Sequence, residues 1–130
     1  MDGLMSAPAY QLLRVGEEDG VPVITVLCPE LRTDTVIAKV EQELDDYLEK
    51  SGTRRLVLDL TPVHFLASTG LRILLMLRKR LRDLGGQFKM CGVHPYVQDV
   101  FRTTRLFSQP FDILADPRSA AAALKAAPAS

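Results

Sequence analysis

The chain is poor in the residues that usually betray a special chemistry. It has no tryptophan, two cysteines and two histidines, and aromatic residues fill 6% of its 130 positions. Cys28 and Cys91 lie far apart in apolar segments that read as strands. They fit buried thiols of a cytoplasmic protein better than a disulfide framework. His64 and His94 stand at no tight spacing to each other or to the cysteines, which argues against a structural zinc site and gives no metal ligand set. No apolar run nears the roughly 20 residues of a membrane-spanning helix. The longest candidate, Leu71–Leu77, contains Arg72 and stops at Arg78. The first nine residues carry Asp2 and lack a basic region followed by an apolar core, so no secretory signal is expected.

Catalytic patterns are also missing. There is no glycine-rich phosphate loop, no dinucleotide fingerprint and no Gly-x-Ser-x-Gly elbow. Asp59, His64 and Ser68 occur close together, but no feature of the sequence sets them against one another. A self-sufficient enzyme is not expected. Nor is there an excess of one charge: 16 basic residues face 16 acidic ones. The balance is local, however. Residues 1–66 hold six basic and twelve acidic groups, and residues 67–105 hold eight basic and two acidic. This asymmetry suits either a bipolar surface that orients a partner or two helices that attract each other. Arg72, Arg78, Lys79, Arg80 and Arg82 form a basic helix without an aromatic stacking platform, and the pI is about 6.7, so nucleic acid is not the expected partner.

What the sequence does hold is an ordinary globular composition, 47% hydrophobic and 25% charged. One domain over residues 1–130 is expected, with a core from about 10 to 124 and frayed ends. Tyr10–Val15 and Val21–Leu27 read as a hairpin around Glu17-Glu18-Asp19-Gly20. Thr33 or Asp34 caps an amphipathic helix with an acidic outer face, stopped by Gly52. Leu56–Leu60 reads as a buried strand. Ser68 is placed to cap a second helix, with Leu71, Leu74, Leu77, Leu81 and Leu84 as its stripe and Gly85-Gly86 as its stop. Gln87–Cys91 follows as a strand. His94-Pro95 opens a third helix with Val97, Val100, Phe101 and Leu106 facing inward. Phe111–Leu114 makes a last strand, and Asp116-Pro117 opens a terminal helix over Arg118–Ala126. Alternation of this kind predicts an α/β fold, with a parallel second half and right-handed crossovers.

The most informative stretch is His64-Phe65-Leu66-Ala67-Ser68-Thr69-Gly70-Leu71, where hydroxyls meet a helix N-terminus. Such an end favours negative charge. A phosphate on Ser68 would add about −1.5 to −2 charge where a helix tolerates it.

This stretch resembles the signature of the anti-sigma factor antagonists of the STAS domain family, an apolar pair followed by Asp-Ser-Ser/Thr-Gly-Leu/Ile. Leu56-Val-Leu-Asp-Leu60, Gly85-Gly86 and His94-Pro95 fall in the family's order, and Pro29-Glu30-Leu31-Arg32 occupies the place of a Gly-Glu-Leu/Ile-Asp motif. The resemblance spans roughly Tyr10 to Leu124. It implies a STAS-like mixed sheet of about five strands covered by about four helices. It further implies partner switching. The unphosphorylated protein binds an anti-sigma factor serine kinase and frees a sigma factor; phosphorylation of Ser68 ends binding, and a PP2C-type phosphatase restores it. ATP and Mg²⁺ belong to the kinase, so this chain needs no cofactor. The expected partner-binding residues are Arg32, Ala67, Ser68, Thr69, Arg72, Leu75, Met76 and Lys79. Two of these depart from the pattern, because Ala67 and Arg32 stand where the family has aspartates. The alternative is a STAS subunit that holds a stress-signalling assembly or a membrane transporter without a phosphate cycle.

Overall fold

The computed structural model describes residues 10–107 and 112–126. Phe111 of the expected last strand and the expected fraying ends lie outside them. The first described elements form an antiparallel hairpin, β1 (Leu13–Glu18) and β2 (Val21–Val26). The expected loop shrinks to Asp19-Gly20, both at positive φ (53° and 84°). A two-residue turn of this kind matches the twist of its strands, so Glu17 and Glu18 stay in the ladder. β2 stops at Val26, leaving Cys28 outside the strand and half-buried, contrary to the sequence reading.

A two-residue strand β3 (Glu30–Leu31) leads to helix α1 (Asp34–Ser51). The Val36 N–H donates to the Thr33 hydroxyl, and Gly52 closes the helix at φ 68°. Next come β4 (Arg55–Asp59), β5 (Phe65–Leu66), helix α2 (Leu71–Asp83), β6 (Gln87–Cys91), helix α3 (Pro95–Thr104), β7 (Ile113–Leu114) and helix α4 (Pro117–Ala126). Helix α2 ends as the diglycine predicted. The Gly86 N–H reaches the Leu81 carbonyl at 2.7 Å and the Gly85 N–H reaches that of Arg82 at 2.9 Å. Gly85 takes φ 78°, completing a Schellman motif.

The main sheet runs β1-β2-β4-β6-β7, antiparallel only at its first pair. From β2 onward the order advances in one direction. Right-handed crossovers then place every connecting helix on the same face. Ile24, Val26, Leu56, Leu58, Phe88 and Met90 point to that face, beneath Ile37, Leu44, Leu74, Leu77 and Phe101 of the helices. Strand alternation sends Val21, Val23, Val57 and Cys91 to the other face, where α4 covers them with Ala120, Ala121 and Leu124. The helix is fastened by Arg55, whose guanidinium donates to the Leu124 carbonyl at 2.6 Å, and by Lys125 on Asp19 at 2.7 Å.

Candidate functional site

Two very short strands build the site. β3 and β5 pair in parallel away from the main sheet, Glu30 opposite Phe65 and Leu31 opposite Leu66. The pairing continues through the Ala67 N–H, which donates to the Leu31 carbonyl at 3.0 Å. It fixes where the loop from β4 ends and the next helix starts. Inside that loop Asp59 accepts from the Thr61 N–H at 3.0 Å and from its hydroxyl at 2.6 Å, so this acid shapes a turn.

Ser68–Gly70 form a single 3-10 turn that runs into α2. The sequence suggests Ser68 as the helix cap. The structure corrects this. The turn is entered from Ala67, the α-helix from Gly70, and neither start has a side-chain cap hydrogen bond. Ser68 and Thr69 are exposed. Their hydroxyls have no protein partner among the described residues. Gly70 is buried beneath them; a Cβ there would lie 2.5 Å from Leu66 Cδ1 and 3.3 Å from the Leu31 carbonyl. The turn therefore sits tightly on β3 and β5 while offering both hydroxyls to solvent.

Around Ser68 the surface is aromatic and basic. Phe65 stacks on the exposed ring of Tyr96 from α3, with centroids 5.5 Å apart. On Phe65 also rests the Arg32 guanidinium, 4.3 Å from the ring centre. Arg32 bonds Glu30 at 3.2 Å across an exposed edge. His64 and His94 meet edge to face at 5.2 Å. Of the residues expected from the sequence, Arg32, Ala67, Ser68 and Thr69 come together here. Arg72, Leu75 and Lys79 continue along the exposed flank of α2. Arg72 is engaged by Glu41 of α1 through bonds of 3.1 and 3.2 Å, and Lys79 by Asp83 at 3.1 Å. Met76 is half-buried against the core and offers least of the eight.

The sequence places the loop Thr61–Ala67, with His64 and Phe65, in the expected docking surface, but Tyr96 and His94 of this site were missed. For Tyr96 a signal was present. With Val97 and Phe101 inward, the helical period puts position 96 outside. For His94 there was none, because its neighbour His64 comes from a loop 30 positions away in sequence.

The STAS domain profile matches residues 33–120. The chain belongs to the STAS domain family. A Bordetella bronchiseptica protein named as an anti-sigma factor antagonist, BtrV, is 37% identical over 89 residues, 68% of this chain and 75% of that one. An anti-sigma factor antagonist from Mycobacterium paratuberculosis superposes with a TM-score of 0.70 at 30% identity, covering 87% of this STAS chain and 92% of the other. The phosphorylated form of the Bacillus cell-fate determinant SpoIIAA shares the fold with a TM-score of 0.62 at 14% identity, over 85% and 96% of the two chains. The mixed five-stranded sheet with four helices is thus the STAS fold that the sequence resemblance implied.

Proposed function

We propose that this STAS chain is an anti-sigma factor antagonist that works as a phosphate-gated binding module in the cytoplasm. Its unphosphorylated form docks on an anti-sigma serine kinase and frees a sigma factor. Phosphorylation of Ser68 by that kinase ends the contact, and a PP2C-type phosphatase restores it. The chain itself performs no catalysis.

The observation that carries this reading is the state of Ser68. Its hydroxyl is exposed at a helix start and is not consumed by capping. A kinase can reach it without unfolding anything. The names of the relatives support the same role.

The mechanism needs little energy. A hundredfold loss of affinity is about 2.8 kcal/mol. One desolvated, unpaired phosphate within an interface supplies a penalty of that order. Helix α2 has no acidic residue in its first turn and its N-terminus tolerates the new charge, so the fold stays as it is. The docking surface comprises Arg32, Ala67, Ser68 and Thr69, the Phe65–Tyr96 stack, and the α2 flank at Arg72, Leu75 and Lys79, with Met76 at its edge.

The deciding experiment uses wild-type protein, Ser68→Glu and Ser68→Ala as paired baits in lysate of the source organism, followed by phosphosite mapping with ATP present. The reading requires an ATP-binding serine kinase retained by wild type and Ser68→Ala but not by Ser68→Glu, with phosphate on Ser68. Equal retention by all three baits, or phosphate on Thr69 alone, overturns it.

A further inference from the structure

His64 and His94 are 30 positions apart in sequence and sit together in the fold. Each follows a different strand of the parallel part of the sheet. His64 lies in the loop after β4, where its N–H donates to the Pro29 carbonyl at 2.8 Å. His94 lies just after β6. Gly92, at φ 65°, turns the chain there, and a side chain at that position would run into the Thr61 hydroxyl. The two backbones are therefore held by structure and not by chance contact of long side chains.

Both imidazoles are exposed. His94 is the residue before α3, but its ring forms no cap hydrogen bond. Neither ring has a hydrogen-bond partner among the described residues. Their nitrogens are thus available. The ring centres are 5.2 Å apart with planes at 74°. A tetrahedral ion that holds two imidazole nitrogens at about 2.1 Å sets the ring centres about 5 Å apart. The separation already matches a two-histidine chelate, and only rotation about exposed side-chain torsions is needed to aim the nitrogens.

We infer that His64 and His94 form an exchangeable site for a borderline-soft divalent cation of the Zn²⁺ class, on the same end of the sheet as Ser68. Imidazole suits Zn²⁺, Ni²⁺ and Cu²⁺ and not Mg²⁺ or Ca²⁺. Two protein ligands leave the other positions to water, so the site is open and not structural. The two-residue spacing rules that serve for zinc fingers do not detect it, because both ligands come from separate loops. The inference rests on the ring geometry alone and stands whether or not Ser68 is phosphorylated.

The test is calorimetric titration of ZnCl₂ into the full chain carrying Cys28→Ser, so that the half-buried thiol supplies no ligand, with His64→Gln and His94→Gln made in the same background. One Zn²⁺ per chain is expected, weakened at least tenfold by either histidine substitution, while MgCl₂ gives no heat. Both substitutions are at exposed positions, and an unchanged amide NMR spectrum of each variant shows that the fold is kept. The inference is overturned if the Cys28→Ser chain binds no Zn²⁺, or if binding survives both histidine substitutions.

Discussion

At Gly86 a methyl group has nowhere to go. A Cβ there would run into the Arg54 carbonyl, a backbone atom that cannot step aside. The same carbonyl accepts from the Gln87 N–H at 3.0 Å, the bond that starts the β4–β6 register. Gly86→Ala is expected to cost about 3 kcal/mol, read as a lower urea midpoint at unchanged slope. Gly70 is a gentler case. The obstructing atom is the end of Leu66, and Leu66 and Gly70 both line an apolar cavity of about 10 Å³. Leu66 can retreat into it, so Gly70→Ala is expected to cost nearer 1 kcal/mol. Ser68 gives the sharpest contrast. A capping serine replaced by alanine costs about 1 kcal/mol. Here the hydroxyl caps nothing, so Ser68→Ala should leave the unfolding free energy within about 0.5 kcal/mol of wild type. A loss above that would restore a structural role. The sequence pointed to Ser68 correctly but for two competing reasons, cap and acceptor. Choosing between them required the 3-10 turn, whose presence depends on Ala67 being bound to Leu31.

Among the elements, the helices and the strands of the main sheet were legible, and the two-residue pair β3 and β5 was not. Helices α1 and α2 announce themselves by apolar spacing, by Thr33 at one end and by glycines at the other. β3 and β5 have two residues each, too few to show any period, and they exist only through pairing with each other. Yet they carry the site. Helix α4 was legible from Asp116-Pro117, and the structure supplies the bond: the Ser119 N–H donates to the Asp116 carboxylate at 2.8 Å. That bond holds the Asp116 carboxyl below its usual range. Asp19 is lowered in the same way by Lys125, and Asp46 by the Tyr10 hydroxyl. A carboxylate whose pKa is depressed by folding adds stability above its unfolded value of about 3.9, and loses it as pH falls through the folded value. The melting temperature should therefore drop from pH 5 towards pH 3. Asp116→Ala should lower it at pH 7 and flatten the drop; an unchanged slope would remove the cap from this account.

For the molecule as a whole, the charge asymmetry of the sequence is resolved by packing. The acidic outer face of α1 lies beside the basic α2, and Glu41 with Arg72 and Asp45 with Arg80 bridge them. Of the two readings open at the outset, mutual attraction of helices is the one these contacts show. Arg72 is 56% exposed at its side chain, so its pair contributes at most a modest share of stability. Raising salt to about 0.5 M should lower the unfolding free energy by less than about 1 kcal/mol in total. A larger loss would mean that the helix pair is held by charge and not by its apolar seam. The order of strands in the main sheet was less accessible than their number. Parallel pairing could be argued from alternation, but which strand neighbours which follows from crossovers that no local pattern records.

One consequence of the one-way strand order concerns time. All connecting helices lie on the Ser68 side, and among the described residues the opposite face is closed by α4, ten residues long. Beneath it lies Cys91, wholly buried, its thiol pushed up to about 12 by burial and by the nearby Asp59. Cys28 is half-buried on the other side. The chain thus carries two clocks. A thiol reagent marks Cys28 in the folded state, but marks Cys91 only in the moments when α4 lifts. The ratio of the two labelling rates measures how often the second face uncovers, and Lys125→Ala, which releases the latch on Asp19, should quicken the slow clock while leaving the fast one unchanged.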